Sequence, residues 1–262
     1  PVRDITDVEA MAQLDSQSRR ILDLPKLVGD AFVGGILANK KATDRNARIE
    51  TIAALSDDAA TENGDAAVSL ERMASEDLAV DLPNKRPRRP FHWPLEFPEV
   101  FGRENGGFDA FVGNPPFVGG HRITGAMGTA YRDWLVSIVA VGRKGGADLV
   151  AYFFLRTGRL LRINGGFGLL AVNTIAQGDT RQVGLESMLT QNFCIHSAFP
   201  NEIWPGSAAV VTSRVHMHKG QWNGKKFLSG NDVTHISAYL SDREAWSPKK
   251  LQANSGLSFK GS

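Results

Sequence analysis

The sequence predicts an α/β fold, a mostly parallel sheet alternating with helices and preceded by a helical region, and three observations point to it. Residues 5–80 show only helical spacing of apolar side chains. A basic, proline-broken stretch at 84–90 then marks a change of texture. Beyond it, short apolar runs alternate with helical patterns, as strands alternate with helices in parallel sheets.

The elements follow in order. Leu14, Ile21, Leu22, Leu24, Leu27 and Val28 recur at helical intervals, as do Ile49, Ile52, Ala53 and Leu55. Pro25 is expected to break the first helix, because proline lacks an N–H and its ring clashes with the preceding turn. Residues 57–67, rich in Asp, Ala and Asn, read as exposed. Lys85, Arg86, Arg88 and Arg89 sit among Pro87 and Pro90, either as a solvated linker or as contacts to phosphate. Residues 108–113 form an apolar run stopped by two prolines, which reads as a strand buried on both faces. Residues 131–141 and 148–161 have helical spacing, 168–173 read as a buried strand, 181–189 as a helix, and 193–199 and 208–217 as strands. Such alternation places helices on both faces of the sheet.

Composition bounds the function without choosing it. The 262 residues are 42% hydrophobic and 22% charged, which is ordinary for a globular chain. A net charge of +2 is silent about polyanion binding, where local clustering matters. The single Cys194 rules out an internal disulfide and fits a reducing, cytoplasmic setting. No apolar run approaches the roughly 20 residues that span a bilayer, and no basic-then-apolar leader precedes residue 30, so no membrane partner is expected.

Asn114-Pro115-Pro116-Phe117 carries the chemistry. The exocyclic amine of a base is a poor nucleophile, since its lone pair is delocalised into the ring. A site that methylates it must accept its protons and draw the nitrogen towards tetrahedral geometry. The Asn114 amide oxygen and the Pro115 carbonyl supply two acceptors, and the prolines fix the backbone while offering no competing N–H. Phe117 can stack on a base swung out of its duplex, which is worth about 1–3 kcal/mol. The tetrapeptide ends a strand, where ligand sites of open α/β sheets lie. A simple turn after a strand is the alternative reading of Asn-Pro-Pro, and the apolar run before it weighs against that.

Residues 108–117 resemble motif IV of amino-methyltransferases, Asn/Asp/Ser-Pro-Pro-aromatic. Residues 91–101, 146–154, 164–174 and 199–210 are similar, in this order, to the surrounding segments of large type IIG restriction–modification methyltransferases and related phage-defence methylases. The resemblance covers about residues 90–220 and implies a Rossmann-like methyltransferase sheet. It also implies S-adenosylmethionine (S-adenosyl-L-methionine) as donor and N6 of adenine in double-stranded DNA as acceptor, with other subunits of a defence system as further partners. Asn114 and Pro115 would hold the amine, Pro116 the backbone, and Phe117 the base. Phe199 and Trp204 are candidates for its second face, with core packing or loop anchoring equally open. The expected division is a helical region at 1–85, the acceptor-side catalytic part at 86–220, and at 221–262 the start of a region towards DNA target recognition.

The family's cofactor loop is a glycine turn that follows a strand and opens a helix. Asn164-Gly165-Gly166-Phe167-Gly168 precedes its strand instead and reads as a helix-to-strand turn. Gly34-Gly35 lies in a helical context. No cofactor-binding residues are therefore assigned; the cofactor half is expected before Pro1 and the recognition region after Ser262. This chain alone is then expected to bind the donor weakly or not at all. Asp109 is a candidate for orienting the site or for capping its strand, and Arg122, Arg143 and Lys144 for touching phosphate or for mere solvation. The six histidines show no metal spacing; His216 and His218 share one strand face and read as surface residues. Two rival functions stay open: methylation of another planar nitrogen, in RNA or in a glutamine side chain, and a catalytically silent DNA-binding piece.

Overall fold

The computed structural model describes residues 4–61, 64–82, 84–143, 145–205 and 210–243. Lys144, residues 206–209 of the later resemblance segment, and 244–262 lie outside the described residues.

Three helices come first: α1 (Ile5–Ala38), α2 (Ala42–Ala60) and α3 (Gly64–Leu78). Asp4 caps α1 by accepting from the amides of Thr6 and Asp7. Contrary to expectation, α1 runs straight through Pro25. An interior proline costs about 3 kcal/mol, and tertiary contact offsets it here. Leu24, Leu27, Val28 and Phe32 pack around buried Ala31, Ile52, Leu70 and Ala74, and Lys26 pairs with Glu96 at 2.7 Å. Arg48 clasps Asp77 with two bonds of 2.7 Å, tying α2 to α3.

The chain then crosses to the sheet through two short turns, α4 (Trp93–Glu96) and α5 (Pro98–Phe101). His92 meets Asp30 of α1 at 2.8 Å. Trp93, Phe97 and Phe101 pack edge-on against Phe108, and Trp93 also against Phe111, with centroids 5.2–6.1 Å apart. The aromatic segment that resembles the family's lead-in is therefore a bracket between the helical region and the first strand.

The strands are β1 (Phe108–Gly113), β2 (Leu161–Val172), β3 (Phe193–Ile203), β4 (Val211–Lys219), β5 (Lys226–Leu228) and β6 (Asn231–Val233), in the order β1-β2-β4-β3-β5-β6. β1 is parallel to β2, and β3 to β5, but β4 runs antiparallel to both β2 and β3. The sheet is mixed rather than mostly parallel, because β4 folds back from β3 and inserts beside β2. Between strands lie α6 (Gly120–Met127), α7 (Thr129–Trp134) with a π-helical turn at Leu135–Val139, and α8 (Leu149–Leu160). After β2 come α9 (Gly178–Arg181), a second π-helical turn (Gln182–Glu186) and α10 (Ser187–Leu189). The α/β class with a helical N-terminal region holds, and no described helix is long and apolar enough to cross a membrane.

One expectation about the layers is corrected. Ile123, Leu135, Phe154, Val183 and Met188 from the helices join Phe167, Leu169, Ala171, Ile195, Val215 and Met217 in one core. Among the described residues the helices thus cover one face. β2 alternates buried and half-buried positions over Phe167–Val172, the signature of a sheet covered on one side. The glycine cluster is also placed: Asn164 adopts φ +62°, and a Cβ on Gly165 would lie 3.0 Å from the carbonyl oxygens of Phe108 and Asp109. It bulges β2 where that strand begins to pair with β1.

The second face carries a cluster that spacing alone did not reveal. His196 stacks on Trp222 with centroids 4.3 Å apart, His216 is 6.1 Å from His196, and His218 is 5.2 Å from Trp222. His216 and His218 do share a face, but both are half-buried rather than free on the surface. Burial, and then the neighbouring histidines, push His196 down to about 4; burial lowers His216 and His218 too. Above about pH 6.5 the rings are neutral whether the chain is folded or not. Between there and about pH 4 the unfolded chain binds protons that folded His196 refuses, so stability falls with pH. Stability is expected to fall by on the order of 1 kcal/mol through His196 as pH drops from about 7 to about 4, since solvent reaches part of the ring and screens the effect. Thermal unfolding of His196→Gln beside the parent checks this: the variant should lose less on acidification, and equal losses would refute the assignment.

Candidate active site

β1 sets the position of the tetrapeptide. It is an edge strand, not one buried on both faces: its outer side has no described neighbour, and Val112 is 92% exposed. Strand hydrophobicity does not say how many faces are covered, so a run that predicts burial on both faces is open on one. Pro115 and Pro116 end the strand at its carboxyl side, as their missing N–H groups require.

Asn114 is exposed, Pro115 buried, Pro116 exposed, and Phe117 is 36% exposed. Asn114 makes no side-chain hydrogen bond to the described residues, whereas Asn39, Asn84 and Asn105 all do. Phe117 has no ring partner, while Phe91, Phe97, Phe101, Phe108 and Phe111 share theirs. The Asn114 amide is thus unpaired, and the Phe117 ring is partly covered but keeps an open portion. The corner is an open shelf, not a closed pocket.

The backbone beneath the shelf is held firmly. The Leu149 amide donates to the Val118 carbonyl at 2.9 Å. Asp148 caps α8 through the Val150 amide, and its own amide donates to Thr180 at 3.1 Å. A Cβ on Gly120 would collide with the Gly146 carbonyl, so the start of α6 packs directly on the 145–148 loop. Asp179 receives the Gly146 amide at 2.6 Å; Arg132 donates to the Gly145 carbonyl and to the Tyr152 hydroxyl. Burial raises the Tyr152 phenol above its ordinary value, so it stays a neutral hydroxyl. Arg132 and Asp179 brace the shelf through backbone atoms, and no motif in the sequence pointed to them.

The remaining candidates separate. Asp109 joins Arg103 and Arg162 at the amino end of β1, away from Asn114, and these bonds lower its carboxyl below the usual range. It locks β1 to β2 and cannot orient the corner. Phe199 is level with Asn114 but three strands across, about 14 Å at ordinary strand spacing. Arg214, held bidentately by Glu202 at 2.6 Å, covers its ring at 4.2 Å. Trp204 follows β3, is 37% exposed, and extends past the same sheet edge as Asn114. Arg122 is exposed on α6, and Arg143 reaches the Gln182 carbonyl at 3.3 Å. Among the basic residues before β1, Arg88 is half-buried and structural, while Lys85, Arg86 and Arg89 are exposed.

The described residues do not fit a cofactor cradle. β1 ends in prolines, and β2 ends in a 3-10 turn (Asn173–Ala176) followed by the lone Gly178. Neither offers the run of glycine amides at a helix start that a pyrophosphate or carboxylate takes up.

No curated protein sequence matches the chain significantly. Among solved structures, it is similar to the type IIL restriction-modification enzyme MmeI, determined in complex with DNA, at 18% identity and a TM-score of 0.48 over 71% of this chain. It is also similar to a candidate class I S-adenosylmethionine-dependent methyltransferase from Listeria monocytogenes, at 11% identity and a TM-score of 0.35 over 79% of this chain. The chain spans 28% of the first protein and 65% of the second. The model of the Eco57I restriction-modification methylase family matches residues 25–199, from the middle of α1 through Asn114 to β3, and the chain belongs to that family.

Proposed function

We propose that this chain carries the acceptor corner of a DNA adenine-N6 methyltransferase within a restriction–modification or phage-defence system. The observation that carries the reading is Asn114-Pro115-Pro116-Phe117 at the carboxyl end of β1, in a methylase family, with the Asn114 amide free of hydrogen bonds to the described residues. An amide without a hydrogen-bond partner and a ring without a ring partner leave Asn114 and Phe117 available to a planar amine that arrives from outside. The Asn114 oxygen and the Pro115 carbonyl accept the two amino protons of adenine, and Phe117 stacks on the ring. Trp204 is the better candidate for the opposite face of the base; Phe199 is already covered by Arg214. The family's methyl donor is S-adenosylmethionine. Its cradle is not among the described residues, so the proposal concerns the acceptor side.

A flipped base needs an enclosing pocket, and Asn114 faces solvent, so the described residues alone do not enclose one; the reading rests on the motif and its family. The competing acceptors are an RNA base and a protein glutamine. Methylation by the full-length enzyme with methyl-labelled donor, offered duplex DNA, RNA and protein side by side, is expected to label DNA at adenine. Label confined to protein or RNA would overturn the choice of DNA.

A further inference from the structure

The basic stretch before β1 divides into two kinds of cation. The Arg88 guanidinium points inward and is used up by protein acceptors: Leu78 and Val80 carbonyls at 2.9 Å, the Asp81 carboxylate at 2.8 Å, and the Met127 carbonyl at 2.6 Å. Lys85, Arg86 and Arg89 do the opposite. All three are exposed, and none has an ion pair or side-chain hydrogen bond to the described residues. Pro87 and Pro90 stiffen the loop, and the Asn84 side chain accepts the Arg86 amide at 3.1 Å. Arg86 and Arg89 border a surface groove of about 460 Å³ whose other wall includes Ala126, Met127 and Tyr131. Arg89 also borders a second groove that holds Asp23, Glu71 and Asp30, the last already taken by His92, so the phosphate side of the loop is the first groove.

This groove is connected to the acceptor corner by a rigid element. α6 starts at Gly120, three residues after Phe117, and ends at Met127, whose carbonyl Arg88 holds. Eight helical residues rise about 12 Å. Arg122 is exposed along the way. Three unpaired cations on a proline-stiffened loop, tied through Arg88 to the helix that leaves the corner, suit a row of backbone phosphates and carry no means of reading bases.

We propose that Lys85, Arg86 and Arg89 form a phosphate-binding clamp for the duplex that delivers its base to Asn114. The clamp rests on the DNA reading above. It sets position and affinity without sequence preference, and Arg88 fixes its orientation on α6.

Binding of a labelled duplex by the full-length protein, measured from about 50 to 200 mM salt, tests this. Each phosphate contact adds about 0.9 to the slope of log affinity against log salt. K85A/R86A/R89A should therefore lower the slope by about 2.7. Over this salt range the parent's affinity should fall about 40-fold more than the variant's. R86K/R89K, which keeps the charge, should leave the slope close to that of the parent. N114A, folded and unchanged at the clamp, should also keep it. An unchanged slope in the triple variant, with normal binding by the parent, would overturn the clamp and leave the DNA reading standing. Failure of the parent itself to bind duplex would overturn both. Circular dichroism of the triple variant should match the parent, since these side chains support no structure.

Discussion

Asn114→Ala is expected to lower methylation by a hundredfold or more while leaving the melting temperature unchanged. The amide oxygen is asked to bind the amino group more tightly as its nitrogen becomes tetrahedral. Removal of one such positioned polar group from a reacting centre costs on the order of a hundred- to a thousandfold in rate. The structural cost should be small, because Asn114 is exposed and bonds to no described side chain or backbone. Surface changes of this kind fall within about 0.5 kcal/mol. Asn114→Asp keeps an acceptor oxygen in the same place and should retain more activity than Ala. Single-turnover methylation of a duplex, read beside thermal melting, decides the matter. Full activity in Asn114→Ala would refute the assigned role; loss of activity together with a lowered melting temperature would show a structural effect instead.

Arg88→Ala should do the reverse: it should destabilise strongly whatever its effect on activity. Four of the five N–H groups of Arg88 are bonded to protein acceptors, and only Nε lacks a partner. Two of those acceptors, the Leu78 and Val80 carbonyls, belong to the end of α3 and the turn after it. Asp81 also receives the Ala130 amide at 2.5 Å, so α3, α6 and α7 meet at this one ion pair. Asp81 is partly exposed, so removing the guanidinium costs about 2–4 kcal/mol, chiefly from the carbonyls and carboxylate left without their donor. For a chain of this size that lowers the melting temperature by on the order of 10 °C. Arg88→Lys should rescue little, since an ammonium cannot reproduce the planar fork. Calorimetry of the two variants tests this; a shift below about 2 °C for Arg88→Ala would show that the contacts matter little.

The same four cations show what the sequence could and could not disclose. Their density and the flanking prolines mark a loop, but nothing distinguishes Arg88 from Arg86 or Arg89. Inward or outward orientation depends on the ends of α3 and α6, which are distant in sequence. The α/β class, the helical region and the strand that closes on Asn114 were legible because each depends on local periodicity and on proline's missing donor. Pro25 misled because tertiary packing outweighed a local penalty. The sheet was misjudged in direction and cover for a related reason: β4 reads as a strand from its alternation, but that alternation does not reveal which neighbours it will choose. At the corner itself the motif was plain, while its bracing by Arg132 and Asp179 runs through backbone atoms that leave no trace in residue identity. The imidazole–indole stack on β3 and β4 escaped notice because it assembles from two strands and a following loop.

Among the described residues the outer rim of β1 has no partner strand, which has a practical meaning for these residues on their own. A strand with unpaired amides and carbonyls on one side is a ready template for another strand, and natural proteins blunt such rims with lysine, proline or a covering segment. β1 holds neither lysine nor proline, and its one acid, Asp109, is spent at the far end on Arg103 and Arg162. Val112 adds an oily side chain to the opening. In concentrated preparations of these residues, stray strand-to-strand adhesion will begin here, one step away from the corner that must stay free for its base.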